Sequence, residues 1–508
     1  MNCNVLLKTA VGLALIGACA PVFAVDSSTV AADHLLRIGG ATATNNILRD
    51  VFLHSTAGLC ATGTVDVYEG TNQRLVACRA KTFAVGSPYA AISGENIAYI
   101  KESNGGSGNG TGPVANQTSL VFLNPANPTC GAAQNVAAAS GLLAYTLHPG
   151  CTGTQSIAPE IGIADVEGKL LGFTGTGLTP IPLLDIVFGV PVSLPLYRDL
   201  QAAQGLGSDD TCANVPSLTS SQVAAIYTGN IFDASVLVQA DQGDNGSQID
   251  GGAQKAIHIC RRGNSSGTQA GTQAFFLNQG CASDVAPFFT PDVPQCLAGG
   301  CSWPTQVING VTQNFQDDLV FAGSGSSQVQ QCLNFFGGQA NDNYAVGVLS
   351  TENSTSGQNY RFVRVDGALP TLESTANGNY QFFTSNVMNL GTLSYSADET
   401  AIYTYISDAA GSPALLDPLN QPFRDGMCSS ATNLGDGGVL ASSKFIDAFG
   451  FPANHEAPFS GAEIRDNPIN TQTKQPLGVI NNCQRPVTHP AVEAEAAGGQ
   501  FRGTIPTF

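Results

Sequence analysis

The chain has few charged side chains and very few basic ones. Only 11% of its 508 residues are Asp, Glu, Lys or Arg, and 38 acidic residues outnumber 20 basic ones, which gives a net charge of −18. A nucleic-acid partner would require a basic face, so this balance excludes nucleic acid as the partner.

Metal-binding motifs and long apolar segments are also lacking. The six histidines are scattered and no Cys-x-x-Cys occurs, so the sequence predicts neither a metal site nor a cofactor. Beyond the first 24 residues, no stretch is long and apolar enough to span a bilayer. Because 43% of the residues are hydrophobic, the polar composition does not indicate disorder.

The first 24 residues are typical of a secretion signal. Lys8 supplies the positive charge, Thr9 to Ala18 form a short apolar run, and Val22-Phe23-Ala24 forms a small-x-small cleavage site. We therefore expect an exported protein, periplasmic or extracellular, whose mature chain begins at Val25. Alternatively, the Ile-Gly-Ala-Cys segment that ends at Cys19 resembles a lipoprotein box and would leave that cysteine lipid-anchored.

The cysteines agree with export. Fourteen cysteines less Cys3 and Cys19 leave twelve in the mature chain, an even number that favours disulfides in an oxidising compartment. Connectivity does not follow from sequence, but four local pairs are candidates: Cys60 with Cys78, Cys130 with Cys151, Cys296 with Cys301, and Cys428 with Cys483.

Strands and helices are predicted to alternate, which is typical of an α/β protein with mainly parallel sheets. Gly-, Pro- and Cys-rich residues 283–340 and 408–508 are predicted to be long, disulfide-tied loops. Predicted strands are 35–38, 96–100, 160–165, 186–190 (a buried parallel strand), 256–260 and 344–349, and predicted helices include one with Ile47, Leu48, Val51 and Phe52 on one face, 220–227 and 269–278.

The most informative segment is Arg262 followed by Ser266-Gly267-Thr268 at the start of a predicted helix. Free N–H groups at a helix start, together with the helix dipole, form a binding position for an anion. An arginine adds a planar set of donors suited to an oxyanion. The alternative is a helix N-cap beside a surface arginine.

Three other segments share this design, in which small residues follow a strand. They are Gly40-Ala41-Thr42, Gly106-Ser107-Gly108 and Ala164-Asp165. In α/β folds, ligands bind beyond the carboxyl ends of the strands, so the four segments could converge on one site.

The order of these segments resembles the phosphate-binding component of ABC transporters, a type II periplasmic binding protein. Further matches are Ile226-Tyr227-Thr228-Gly229, Val346-Gly347-Val348 and Asn377-Gly378-Asn379-Tyr380. The resemblance implies a two-lobed fold that captures phosphate or a related oxyanion and serves an inner-membrane ABC transporter. It implies one lobe of residues 25–190 plus 345–508, a second of 191–344, and a hinge near Val190 and Gly347.

The resemblance also implies roles for single residues. Arg262 would pair with the charge of the anion, Asp165 would accept a hydrogen bond from a protonated ligand oxygen, and Gly267 would allow close backbone approach. Ala43 stands where the family often has an aromatic residue. The hydrogen-bond donors to the ligand would be Thr42, Ser107, Ser266 and Thr268.

A hydrolase is disfavoured, because Ser266 has no evident base nearby and no Gly-x-Ser-x-Gly elbow surrounds it, so no catalytic residue is predicted. An extracellular structural or adhesive protein on the same fold is the alternative, since the cysteine-tied insertions, the low charge and Ala43 fit it.

Overall fold

The computed structural model describes most of the chain between residues 25 and 410. The described residues are 25–139, 141–173, 175–231, 234, 237, 257–277, 305–308, 311–314, 320–338, 344–371, 374–375, 380–410 and 439–440. None of the helices in these ranges is long and apolar enough to cross a membrane. The expected signal segment and the candidate pairs Cys296–Cys301 and Cys428–Cys483 lie outside the described residues.

The fold is mixed α/β, as the sequence predicts. The helices are α1 Asn45–Leu53, α2 Gly112–Asn116, α3 Leu194–Ala203, α4 Ser220–Tyr227, α5 Gly267–Phe276, α6 Ser326–Gly337 and α7 Ala397–Ala410. The strands are β1 Leu35–Gly40, β2 Asp66–Gly70, β3 Gln73–Arg79, β4 Asn96–Glu102, β5 Leu120–Leu123, β6 Gln134–Val136, β7 Tyr145–Cys151, β8 Thr154–Ile157, β9 Ile161–Ala164, β10 Thr179–Ser193, β11 Ser217–Leu218, β12 Ile257–Arg262, β13 Thr305–Ile308, β14 Val311–Asn314, β15 Val320–Gly323, β16 Tyr344–Gly347, β17 Leu349–Ser350, β18 Tyr360–Val365, β19 Phe383–Leu390 and β20 Val439–Leu440.

One 16-stranded sheet runs through the protein in the order β15-β12-β16-β10-β19-β9-β1-β4-β3-β2-β7-β6, with β11, β17, β18 and β20 paired off this path. β1 is parallel to both β4 and β9, and β12 is parallel to both β15 and β16. Each of these two groups therefore brings the carboxyl ends of its strands to one edge.

The long strand β10 links the two groups, and here the structure corrects a prediction. The apolar run Ile186–Val190 was expected to be a parallel strand, but β10 is antiparallel to β16, β17, β18, β19 and β20. Burial on both faces produces the same apolar run for either strand direction, so hydrophobicity alone cannot distinguish them.

The prediction of loops over residues 283–340 is also wrong for part of that segment. β15 and α6 follow each other there, and β13 pairs with β14 in an antiparallel hairpin. The apolar side chains of α6 recur at helical spacing and are buried at Val329, Cys332, Leu333 and Phe336. Its many Gln and Ser residues conceal this amphipathic pattern in the composition.

Helices cover the sheet through amphipathic faces. In α1 the predicted apolar face is buried, and Ile47, Leu48, Val51 and Phe52 join the main hydrophobic core. A smaller apolar cluster joins α5 to the turn after β9 through Val166, Leu170, Ala270 and Ala274. This cluster fastens the start of α5 against the β1–β4–β9 group.

Three disulfides join described cysteines. Cys60–Cys78 and Cys130–Cys151 are the predicted local pairs. Cys260–Cys332 joins β12 to α6 over 72 residues and was not anticipated, since it is not local. Cys212 is disulfide-bonded as well.

The division into lobes stays a prediction. β10 pairs with β19 up to Val187, and from Val190 onward it pairs with β18, so one chain crossing lies within this strand. β18 also pairs with β11. This pairing favours assigning the chain up to Val365 to the second lobe, beyond the boundary predicted between residues 344 and 345.

We expect the non-local disulfide to contribute strongly to stability. Replacing both Cys260 and Cys332 by alanine should lower the free energy of unfolding by about 2–5 kcal/mol, because the unfolded chain regains the freedom of a long closed loop. Urea denaturation of the oxidised variant and wild type measures this. The double variant at Cys60 and Cys78, which are 18 residues apart, is the control and should lose less. An equal or smaller loss at Cys260–Cys332 would contradict the expectation.

Candidate functional site

The turn after β1 forms one side of the candidate site. Gly40 has φ +117°, and a Cβ there would lie 2.0 Å from the Ile163 carbonyl oxygen, so the turn packs directly against β9. The Ala41 N–H donates to that same carbonyl at 2.8 Å. Thr42, half-buried, begins the short 3-10 helix that follows. The strand pairing thus positions the Thr42 hydroxyl at the edge where β1, β4 and β9 end.

The glycine-serine segment after β4 is folded. Gly106–Gly110 form a 3-10 helix, and Ser107 is fully buried. Its Oγ accepts a hydrogen bond of 2.9 Å from the backbone N–H of Asp165, the residue after β9. Two predicted site residues from different strand ends are therefore in contact.

Asp165 is buried and accepts hydrogen bonds from two further elements. Oδ2 accepts from the Thr268 hydroxyl at 3.3 Å, and Oδ1 accepts from Asn386 Nδ2 at 3.1 Å. Burial raises the pKa of Asp165, while the charge of Arg262 and the hydrogen bonds from Ser107, Thr268 and Asn386 oppose that rise.

The start of α5 packs tightly against this pair. A Cβ at Gly267 would lie 2.3 Å from Ser107 Oγ and 2.7 Å from Asp165 Cβ, so no larger residue fits without movement. The Gly108 N–H also donates to the Ser265 carbonyl at 2.8 Å. These contacts bring the first turn of α5 to the ends of β4 and β9.

Arg262 ends β12 and is buried, with 2% of its surface exposed. Its Nη1 donates to Thr42 Oγ1 and to Ser326 Oγ, both at 3.2 Å, and Nη2 donates to the Ser324 carbonyl at 2.8 Å. All three acceptors are neutral. Among the ion pairs of the described residues, none includes Arg262.

The guanidinium remains a cation despite its burial. Burial lowers the pKa of Arg262 to about 10, and the Asp165 carboxylate opposes that fall. Arg262 therefore stays charged at neutral pH, with a charge that its direct partners do not neutralise.

Ser266 is the N-cap residue of α5, but its hydroxyl makes no hydrogen bond to the first turn of the helix. Within the part of the chain that the structure describes, its buried Oγ has no hydrogen-bond partner, and neither has Arg262 Nε. Buried polar atoms are normally paired, so an oxygen-rich ligand is one explanation for these two. Of the alternative, the N-cap position of Ser266 is confirmed, although its side chain makes no cap bond, and the surface arginine is wrong because Arg262 is buried.

The predicted site residues other than Ala43 form a cluster of two groups that meet at Gly106, where an added Cβ would lie 3.2 Å from Arg262 Nη2 and 3.4 Å from Ser266 Cα. Thr42 contacts Arg262, Ser107 contacts Asp165, Thr268 contacts Asp165, and Gly267 packs on both Ser107 and Asp165. Ala43 is different, because its buried methyl group belongs to the hydrophobic core. A role of Ala43 at the ligand could thus involve only its backbone.

Sequence reasoning missed several residues of this cluster. Ser324 follows β15 and Ser326 begins α6, where a strand that ends in Gly-Ser-Gly-Ser repeats the design seen at the other strand ends. That signal was available but was interpreted as loop. Asn386 lies within β19, and Lys101 lies near the end of β4. No local pattern distinguishes these two from ordinary strand residues.

One group of described residues elsewhere has ligands that a metal ion could use. Asp33, His34 and Asp398 place one ligand atom each within 4.8 Å of one another, at the junction before β1 and at the start of α7. His34 Nε2 and Asp398 Oδ2 are already in direct contact at 3.1 Å, and His34 Nδ1 lies 3.1 Å from the Asn96 carbonyl oxygen. The contacts of His34 with Asp398 and with the Asn96 carbonyl explain why these side chains lie together without a metal ion.

Comparison with known proteins gave matches among solved structures only. No protein-family profile and no curated protein matches the chain. A phosphate-bound structure from Clostridium perfringens, assigned as a phosphate ABC transporter substrate-binding protein, is 14% identical with a TM-score of 0.37, covering 76% of this chain and 96% of that one. PstS from Borrelia burgdorferi is 12% identical with a TM-score of 0.30, covering 80% and 98%.

A third similar structure is an ABC-type phosphate transport receptor from Vibrio cholerae. It is 13% identical with a TM-score of 0.28, and the match covers 54% of this chain and 86% of that one. Similarity at this level identifies no ligand, so a function has to rest on the chemistry of this chain's own residues.

Gly267, where α5 contacts the ends of β4 and β9, is the position at which a larger side chain should disturb the packing most directly. Gly267→Ala should lower the free energy of unfolding by about 1–3 kcal/mol, because the added methyl group overpacks Ser107 and Asp165. Gly263→Ala is the matched control, since a Cβ there would find its nearest neighbour at 3.8 Å. Thermal and urea unfolding measure both variants, and equal stabilities would contradict the described packing.

Proposed function

We propose that the protein is an exported solute-binding protein that captures phosphate or a related oxyanion between two lobes. The observation that carries the proposal is the buried Arg262 guanidinium, whose direct partners in the described residues are all neutral oxygens. The Asp165 carboxylate acts on this charge without a direct ion pair, so the burial of the guanidinium stays costly, and a bound anion would lower that cost.

The surroundings of Arg262 fit a tetrahedral oxyanion. The unpartnered Ser266 Oγ, the Thr42 hydroxyl and the first turn of α5 all offer hydrogen-bond donors near the guanidinium. A Cβ built on Gly106 would lie 3.2 Å from Arg262 Nη2 and 3.4 Å from Ser266 Cα, which shows how closely these parts approach. Several donors around one cation would hold a ligand with several oxygens.

Asp165 would supply selectivity. Its carboxylate accepts hydrogen bonds in the described structure and would likewise accept one from the O–H of hydrogen phosphate. Fully ionised sulfate has no such proton, so its oxygen would face a negative charge inside the site. A buried carboxylate beside a buried arginine thus favours an anion that carries its own proton.

The proposal also includes a closing motion of the two lobes and a transporter that receives the ligand. The lobes would close on the ligand, with the chain crossing within β10, near Val190, as part of the hinge. An inner-membrane ABC transporter would be the partner, and binding, with no chemical conversion, would be the activity.

Titration calorimetry of the mature protein with phosphate tests the proposal. We expect wild type to bind, and Arg262→Ala to bind at least about tenfold more weakly, because a hydrogen bond to a charged group contributes about 1.5–3 kcal/mol. Arg364→Ala is the matched control, since Arg364 also donates to backbone carbonyls, of Val215, Cys212 and Gly367, away from this cluster. Absence of heat with phosphate, arsenate and sulfate in wild type would reject the binding function and favour the structural or adhesive alternative.

A second prediction concerns Asp165→Asn. This variant should lose much of the preference for phosphate over sulfate, because the amide no longer places a negative charge against a sulfate oxygen. It should also be more stable than wild type at neutral pH. Burial raises the pKa of Asp165, so the charged form is unfavourable in the folded state above that pKa, and this penalty disappears at low pH.

Calorimetry with both anions and urea unfolding at pH 4 and pH 7 measure these effects. An unchanged ratio of the phosphate and sulfate affinities would remove Asp165 from its proposed role. Loss of stability at pH 7 would show that its hydrogen bonds outweigh its burial.

A further inference from the structure

Lys101 is a buried lysine immediately beside the candidate site. It lies on β4 opposite Ile38 of β1, and 1% of its surface is exposed. Lysine is almost never fully buried unless it is paired. Among the ion pairs of the described residues, none includes Lys101, so its burial has another compensation.

The ammonium group is bound by backbone oxygens at the strand ends. Nζ donates to the Gly40 carbonyl at 2.5 Å and to the Glu102 carbonyl at 3.2 Å. Gly40 is the last residue of β1, and the turn that carries Thr42 begins directly after it. Lys101 therefore holds the base of the turn whose hydroxyl accepts a hydrogen bond from Arg262.

Two carboxylates act on Lys101, and β3 places the charged Arg74 opposite it, where Arg74 donates to the Glu69 carboxylate at 2.8 Å and to the Asn45 carbonyl at 2.9 Å. Glu102 follows Lys101 on β4, and Asp165 follows β9, while β1 beside it contributes the Gly40 carbonyl. Glu102 is itself occupied, since its carboxylate accepts from the Asn104 N–H at 2.6 Å and from Asn109 Nδ2 at 3.3 Å. Of the two carboxylates, Glu102 acts more strongly on Lys101, and Asp165 is the one that belongs to the candidate anion site.

We propose that Lys101 is a second cation of the anion site, which holds the Thr42 turn in place and takes up a proton when an anion binds. This inference rests on the proposed anion-binding function and adds its regulation by pH. Lys101 is a positioning residue, because it acts on the ligand through the Gly40–Thr42 turn and through its charge.

The direction of the pH effect follows from the burial of the amine. Burial lowers the pKa of Lys101 to about 7, and the carboxylates of Glu102 and Asp165 oppose that fall. The negative charge of a bound anion would stabilise the ammonium form and so raise the pKa of Lys101 in the complex above its value in the free protein. The charge of Lys101 therefore strengthens anion binding fully below pH 7, where the amine is already protonated in the free protein. This gain in affinity is lost as the pH rises through the higher pKa of the complex.

The experiment compares phosphate affinities of wild type and Lys101→Met by calorimetry at pH 6 and pH 9. Because phosphate itself titrates in this range, the variants are compared at the same pH. We expect the loss of affinity caused by Lys101→Met to be about tenfold larger at pH 6 than at pH 9, which corresponds to a pKa rise of one unit in the complex. Buffers of different ionisation enthalpy should show less proton uptake by the variant at pH 8.

Lys81→Met is the matched control. Lys81 also donates to two backbone carbonyls, those of Ser55 and Thr56, but it lies outside the cluster. It should match wild type at both pH values. An equal loss of affinity for Lys101→Met at pH 6 and pH 9 would show a merely structural role and overturn the inference, and so would an unchanged affinity.

A measurement on wild type alone covers the case in which Lys101→Met does not fold. In protein labelled at lysine Cε, one resonance should titrate near pH 7, and saturating phosphate should shift its midpoint upward by about one unit. Phosphate binding without such a shift would overturn the role of Lys101 and leave the binding function standing. No phosphate binding by wild type would reject the proposed function, and the inference with it.

Discussion

A buried guanidinium with neutral partners is the constraint around which this part of the molecule is organised. Removing an arginine from water costs several kcal/mol, and hydroxyl and carbonyl oxygens compensate that cost only in part. The partners of Arg262 come from the turn after β1 and from the start of α6, so both parallel strand groups must keep their positions to hold it. The disulfide between β12 and α6 fixes two of these elements to each other.

Asp165 is the second buried charged group of this region, and it is closely packed. Its carboxylate lies where β9, β19, the Gly106–Gly110 helix and the start of α5 meet, and each contributes a contact. Close packing at this point requires a glycine at position 267. A buried acid and a buried base are thereby held near one another without forming an ion pair, which is an arrangement that can accept both the charge and the proton of a ligand.

Several features were predictable because they depend on local order along the chain. The apolar face of α1, the span of α4, and the strands before Thr42, Asp165 and Arg262 all follow from spacing and from small residues at strand ends. The helix α6 was missed, although its apolar spacing was present, because its Gly-, Ser- and Gln-rich composition resembles a loop. The antiparallel direction of β10 and the pairing of Cys260 with Cys332 could not be predicted, since both depend on distant partners.

The α/β class and most of the side chains that converge at the strand ends were predictable from the sequence, as were two of the disulfides, as candidates among four local pairs. Parallel strands bring their carboxyl ends to one edge wherever they pair, so residue types at those ends are informative before any contact is known. Long-range contacts alone show that Arg262 makes no ion pair among the described residues and that Ala43 packs in the core. The same contacts add Asn386, Ser326 and Lys101 to the cluster. Burial and the identity of a hydrogen-bond partner are set by chain segments up to 284 residues apart, as between Thr42 and Ser326, and no local pattern encodes them.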